Sequence, residues 1–298
     1  MKVLVVGAYG FIGRRLVTKL EQLGYQVAKA DIFRQGTDDC EVFSPDQPDF
    51  QKLFASQSPD VCINCTGAAS VPASFDTPFN DYTLNTLRVI QMLEAIRLVS
   101  PETRFIHFSS AAVYGNPLAS PISETADIAP LSPYGWHKRS AELACQEYHA
   151  LYKVQSLSLR VFSAYGPGLK KQIFWDVYQK ALASNKQIEL FGTGLETRDF
   201  IYVDDIAVCV DTLIQHAVFD ARAVNVANGE ASTIADAVST LLEALNFKRD
   251  IMFSGAGRQG DPSCWQADVS YLNSIGFTPA YSLKQGLAEV ARWMAGVQ

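Results

Sequence analysis

Short apolar runs alternate with helical patterns through the first half of the chain. KVLVVGA (2–8) is an apolar run of strand length that ends on glycine. FIGRRLVTKLEQLG (11–24) then spaces its apolar residues as one face of a helix and closes on glycine. The same reading gives a strand at YQVAKAD (25–31), a short helix in DFQKLFASQS, and a strand at DVCINCTGA (60–68). A long helical stretch follows from about Pro78 to Val99. Next come a strand at RFIHFSSA (104–111), a helix from Pro133 to Tyr152 and a strand at VQSLSLRVF (154–162). Strands joined through crossover helices pair in parallel, so this half predicts an α/β fold: a doubly wound parallel sheet with helices on both faces.

The pattern changes after Phe162. Residues 163–200 are rich in turns and hold GPG and GTG, with a helix near Trp175–Ser184 between them. FIYVDDIAVCVDTLIQ and AVNVAN read as a return to the main sheet. Short elements then lead to a final helix, LKQGLAEVARWM. The expected organisation is a main domain at 1–162 with a returning segment at about 200–227. A smaller C-terminal lobe is built from 163–199 and 228–298.

Composition narrows the function without naming it. The 298 residues carry a net charge of −6, which argues against a nucleic-acid partner. Six cysteines, at 40, 62, 65, 145, 209 and 264, have no framework spacing. Cys62 and Cys65 lie three apart on a strand and face opposite sides, so packing explains them better than a redox or metal role. Met1-Lys2 leads straight into the first strand with no signal peptide, and no apolar run is long enough for a membrane span. Cytoplasmic residence is the resulting expectation. The histidines at 107, 137, 149 and 216 lack ligand spacing, so no metal is expected.

GAYGFIG places Gly7, Gly10 and Gly13 between the first strand and the first helix, with Phe11 and Ile12 opening that helix. Glycines there permit a tight turn and close approach of backbone to a pyrophosphate, which faces the unpaired N–H groups of the helix. Asp31 ends the second strand, where a carboxylate accepts both ribose hydroxyls of NAD and repels the 2′-phosphate of NADP. Arg34, three residues on, could pair with that phosphate and keeps NADP open.

SPYGWHK (132–138) sets Tyr134 and Lys138 on one helix face, four residues apart. A neighbouring ammonium and a bound nicotinamide cation both favour the phenolate. HFSSAAVYG (107–115) ends a strand at the C-terminal edge of the sheet and offers the hydroxyls of Ser109 and Ser110.

GxxGxxG, SSAAVYG and YGWHK together resemble the extended short-chain dehydrogenase/reductases that act on nucleotide sugars, a Rossmann-type fold with a smaller substrate-binding lobe. The resemblance continues through NCTGAASVPASFDTP, DYTLNTLRVIQMLEA, RVFSAYGPG, ETRDFIYVDDIA, NVANGE and RQGDP. It implies Tyr134 as acid/base, with Lys138 holding the nicotinamide ribose and Ser110, rather than Ser109, as the catalytic hydroxyl. Asp31 would bind the adenosine ribose, with Asp46 by the adenine. Thr66, Gly67 and Asn85 would line the cofactor site. Arg198 and Arg258 would hold the substrate's base-side and diphosphate groups, with Asp261, Ser74, Ser163 and Gln172 nearby. Trp175, Phe191 and Trp265 are candidates for stacking on a base or for lobe core.

Departures from the family pattern narrow the reaction. Sugar-nucleotide 4,6-dehydratases carry an acid pair after the catalytic hydroxyl, and decarboxylases a glutamate before VYG. Ala111 and Ala112 stand there and transfer no proton. A 4-epimerase and a 4-ketoreductase of a 4-keto-6-deoxy sugar remain, with a non-catalytic cofactor-sensing or RNA-binding member as the reading from another class. Ser163 replaces the asparagine of the RxFNxYG motif, which points to an unusual substrate. Relatives commonly pair two helices per subunit in a four-helix bundle. Leu143 and Leu151 add apolar residues beyond the inward face of 133–152, so a homodimer is expected.

Overall fold

The first strand, β1 (Lys2–Val6), is apolar because both of its faces are covered. The computed structural model describes residues 1–36, 38–184, 186–256, 260 and 262–297. After β1 come α1 (Phe11–Gln22), β2 (Gln26–Asp31), β3 (Cys40–Val42), α2 (Phe50–Gln57), β4 (Val61–Asn64), α3 (Val71–Asp76) and α4 (Pro78–Tyr82). A π-turn (Thr83–Leu87) leads into α5 (Arg88–Val99), followed by β5 (Arg104–Ser110), α6 (Pro133–Tyr152) and β6 (Ser156–Val161). The remainder comprises β7 (Ser163–Tyr165), α7 (Gln172–Ala183), β8 (Gln187–Leu190), β9 (Thr197–Tyr202), α8 (Val203–His216) and β10 (Ala223–Val226). It ends with β11 (Ala231–Thr233), α9 (Ile234–Ala244), β12 (Asp250–Phe253), α10 (Ser270–Ser274) and α11 (Leu283–Ala295).

Seven parallel strands form the main sheet in the order β10-β6-β5-β4-β1-β2-β3. The fold is Rossmann-like. The chain moves outward from β1 to β3 and then returns to lay β4 on the other side of β1. This reversal opens a crevice at the carboxyl ends of β1 and β4. Alternate residues supply two cores: Val3, Val5, Ile63 and Ile106 meet α1 and α8 on one face, whereas Leu4, Val6, Cys62 and Phe105 meet α2, α5 and α6 on the other. Cys62 and Cys65 do fall on opposite faces.

Two elements differ from the sequence pattern. The stretch expected as one helix from Pro78 to Val99 contains the π-turn, in which Asn85 and Thr86 are both buried. FIYV does not return to the main sheet: β9 lies between β11 and β7 in a separate three-stranded sheet, and only β10 of the returning segment joins the main one, beside β6. The physical reason is that β9 serves two cores. Ile201 faces the main-sheet core, while Phe200 and Tyr202 join the aromatic core formed with α7, α9 and α11.

A buried polar network fastens α6 to the sheet. Glu142 accepts from Ser109 Oγ at 2.7 Å, from Arg160 Nε and Nη2 at 2.9 Å each, and from Arg139 Nη1 at 3.0 Å. Arg160 also donates to Tyr114 Oη at 2.9 Å, and Tyr114 donates to Asn225 Oδ1 at 2.6 Å. Glu142 and Arg160 are both buried, so removing one partner strands the other's charge at a cost of about 3–5 kcal/mol. Arg160→Met is therefore expected to lose about that much stability in urea unfolding, and Arg160→Met/Glu142→Leu to regain most of it. Equal loss in the single and double variants would show that the stranded charge is not the cause.

Candidate active site

Ser110 is the last residue of β5 and caps the 3-10 turn Ala111–Val113, accepting the Ala112 N–H at 3.1 Å. Its position beside the Tyr134 phenol follows from strand direction: successive residues of β5 face opposite ways. Ser109 accordingly points to the other side and donates to Glu142. Tyr134 and Lys138 occupy the first turns of α6, which Ser132 caps by accepting the Gly135 N–H at 3.2 Å and Pro133 opens at a position where its missing N–H is harmless.

Lys138 is 4% exposed, and its Nζ donates to the Phe108 carbonyl at 2.8 Å and lies 5.8 Å from the centroid of the Tyr134 ring. Burial lowers its pKa to about 8, partly offset by the charge of Asp81. Burial also raises the Tyr134 phenol to about 12, against a lowering contribution from the Ser110 hydroxyl. In this state the pair is ammonium and phenol at neutral pH. A further positive charge brought into the cleft would favour the phenolate.

The cofactor side of the cleft lies where β1 and β4 end. Gly7 has φ +83°, and a Cβ there would come within 2.9 Å of the Cys65 carbonyl carbon, so the first turn closes tightly on the turn after β4. Gly10 caps α1 without a side-chain bond, Phe11 and Ile12 are half-buried in its first turn, and Gly13 is buried behind them. Asp31 is buried and accepts the N–H groups of Tyr9 and Ile32 at 2.8 Å each, leaving two lone-pair directions of its carboxylate for a ligand. Arg34 donates to the Cys40 carbonyl at 2.9 Å. Asp46 is exposed, and its charge bears on the buried Arg88 at the start of α5.

Thr66 folds back onto Asn64, donating from its N–H at 3.0 Å and its hydroxyl at 2.6 Å. Gly67 follows with φ +118°. A Cβ on it would lie 2.5 Å from Asn85 Oδ1 and 3.6 Å from Lys138 Nζ, so glycine, amide and ammonium border one space. Asn85 is buried with both its Oδ1 and Nδ2 unpartnered among the described residues. Buried polar groups of native proteins find partners, so an amide left open beside a glycine cradle and an ammonium fits the ribose and amide groups of a dinucleotide.

The expected substrate residues are less gathered. Ser74 is fully buried and donates to the Val71 carbonyl at 2.7 Å. Ser163 is half-buried in β7, and Gln172 is exposed at the start of α7 with φ 66°. Arg198 donates to the Thr197 carbonyl at 2.8 Å and lies over the Trp265 ring at 5.7 Å. Trp265 in turn packs in one cluster with Tyr134 and Phe162 and donates to the Gly115 carbonyl at 3.0 Å, which links Arg198 to the segment following the Ser110 turn. Arg258 and Asp261 lie outside the described residues. Of the aromatic candidates, Trp175 packs against Tyr178 and Trp293, whereas Phe191 is 56% exposed.

Sequence reasoning passed over Asp81 and His137. His137 Nδ1 lies 2.6 Å from Asp81 Oδ1, across 56 residues of chain. The motif that singled out Tyr134 and Lys138 has His137 inside it, so the signal was a histidine between the two candidate reactive residues. Among the described residues no cluster of His, Cys, Asp or Glu could hold a metal, and no helix is long and apolar enough to cross a membrane.

A UDP-glucose 4-epimerase of Mycolicibacterium smegmatis is 28% identical over 312 residues, 98% of each chain. The UDP-glucuronic acid 4-epimerase from Bacillus cereus, in complex with UDP-glucuronic acid and NAD, has a TM-score of 0.89 at 27% identity over 100% of both chains. The UDP-N-acetylglucosamine 4-epimerase from Methanobrevibacter ruminantium M1, in complex with UDP-N-acetylmuramic acid, has a TM-score of 0.88 at 25% identity, covering 100% of this chain and 99% of that one. The model of the NAD dependent epimerase/dehydratase family matches residues 3–227, and the chain belongs to that family.

Proposed function

We propose that the protein is an NAD-dependent 4-epimerase of a UDP-linked sugar. The observation that carries this reading is the buried set of Ser110, Tyr134 and Lys138 at the sheet edge, bordered by the open amide of Asn85. Its relatives in solved structures hold NAD and UDP-sugars. When bound, NAD supplies the hydride sink and source for C4 of the sugar.

The chain's own residues move the proton. Tyr134 takes it from the C4 hydroxyl and returns it to the same oxygen. Lys138, charged below about pH 8, stabilises the phenolate that starts the cycle. Ser110 holds the C4 oxygen beside the phenol. Asp31 and the Gly7–Gly13 turn seat the adenosine and pyrophosphate, while Thr66, Gly67 and Asn85 line the nicotinamide side. Arg198, over the Trp265 ring, is assigned to the substrate's nucleotide end. Ala111 and Ala112, both buried, put no second acid or base beside the sugar, which disfavours dehydration.

The same reading includes a homodimer. Leu87 and Leu98 on the π-turn and α5, with Trp136, Leu143 and Leu151 on α6, are all exposed. The α6 residues fall seven and eight apart, so they line one face, and the two helices pack side by side. Two copies meeting through these faces would form a four-helix bundle. Six free thiols suit a reducing, cytoplasmic compartment.

NMR of reactions with UDP-glucose, UDP-glucuronic acid and UDP-N-acetylglucosamine tests the activity, with inversion at C4 as the expected outcome. Consumption of NADPH with a 4-keto sugar nucleotide, and no inversion, would favour the ketoreductase. Tyr134→Phe is expected to lose turnover by about 10²–10⁴-fold while retaining NAD binding. Leu143→Glu/Leu151→Glu is expected to halve the mass seen by light scattering, and an unchanged mass would rule out this interface.

A further inference from the structure

Asp81 sits on α4 at 3% exposure, a carboxylate in the helix layer beside the catalytic turn of α6. One oxygen, Oδ1, lies 2.6 Å from His137 Nδ1, and the other, Oδ2, is buried without a hydrogen-bond partner among the described residues. A buried carboxylate with one free oxygen is costly unless cations face it. On α6 the imidazole of His137 touches it, and the ammonium of Lys138, the next residue, supplies the cation; the Asp81 charge raises the Lys138 pKa against the larger lowering by burial.

His137 is held from two further directions. Thr86 Oγ1, from the π-turn that also carries Asn85, donates to the His137 carbonyl at 2.8 Å. The Tyr82 ring meets the imidazole edge-on, with centroids 5.3 Å apart. Ring and backbone of one residue thus clamp the α4–π-turn segment onto the helix turn that presents Tyr134 and Lys138. Among the described residues, His137 touches Asp81 and its charge acts on Tyr134 and Lys138, all from α6, with Tyr82 next to it on α4. Lys138 also feels Glu142 on its own helix and Cys65 from the turn after β4.

We propose that Asp81 and His137 form a positioning pair for the reaction, in which the imidazole fixes the carboxylate so that its charge keeps Lys138 an ammonium and moderates ionisation of Tyr134. The inference rests on Tyr134 and Lys138 being the reacting pair. The sign follows from charge: a carboxylate favours the protonated forms of both groups, so its removal lets both lose their protons at lower pH. For Tyr134 burial is the larger cause of the raised value, and the Asp81 charge adds to it.

The test compares Asp81→Asn, His137→Asn and His137→Leu. The tyrosinate absorbance of Tyr134, isolated by subtracting the titration of the matching Tyr134→Phe protein, is followed against pH without substrate. In Asp81→Asn it is expected to appear about one pH unit lower, and both limbs of the kcat/KM profile are expected to move to lower pH together. His137→Asn keeps a donor near the position of Nδ1 and is expected to turn over within about threefold of the native protein. His137→Leu leaves the carboxylate unheld and is expected to lose about tenfold in kcat with KM little changed. A folded Asp81→Asn protein with an unmoved Tyr134 titration would overturn the proposal, as would equal loss in the two His137 variants. The titration needs no turnover. A displaced titration in a protein inactive on every UDP-sugar therefore supports the pair and removes the substrate reading alone.

Discussion

The site depends on keeping one ammonium, that of Lys138, out of water at the edge of a parallel sheet. Burial works against the charge and lowers its pKa to about 8, so the surroundings must return part of what solvent gave. The Phe108 carbonyl accepts one hydrogen bond, and the carboxylates of Asp81 and Glu142 supply negative charge from two sides. Each of these groups is fixed by a different part of the fold. Phe108 comes from β5, Asp81 from α4, and Glu142 from the next turn of α6, where Arg160 holds it. A small rotation of α6 would disturb the Phe108 contact and the approach to Asp81, and the buried Glu142–Arg160 ion pair ties the inner face of the helix to the sheet against it.

The topology places this ammonium where a dinucleotide can meet it. The switch between β1 and β4 opens the crevice, the glycine turn narrows its floor, and the turn from Asn64 to Gly67 forms the wall next to Lys138. The π-turn carries Asn85, buried beside Gly67, and the next residue, Thr86, which is also buried. Irregular backbone here is therefore part of the site's construction.

Much of this was legible in the sequence, because the deciding signals are local. Apolar runs and glycines marked the strands and the first turn, and the four-residue spacing of Tyr134 and Lys138 placed both on one face of a helix that begins at Pro133 and ends at Tyr152, as expected. The π-turn was not legible, since Thr83–Leu87 continues a helical apolar pattern and nothing in its composition announces an extra residue per turn. The placement of β9 was misread because its residues alternate between two apolar cores, a pattern that looks like any buried strand until the partners are known. The Asp81–His137 contact spans 56 residues, and a lone histidine on a helix carries no sign of its partner.

The neutral turn after Ser110 limits what the site can do. Ala111 and Ala112 are buried against Tyr134, Tyr114 and Phe162, and neither can exchange a proton beside the Tyr134 phenol and the Ser110 hydroxyl. Elimination of water across a carbon–carbon bond needs an acid for the leaving oxygen and a base for the carbon, at separate positions. One phenol serves only a single oxygen. Proton exchange at one oxygen, with hydride transfer at the carbon that bears it, suits the proposed inversion at C4, which returns the proton where it was taken and is redox-neutral overall. The apolar packing around the phenol and the two alanines of the turn thus both favour the proposed inversion at C4.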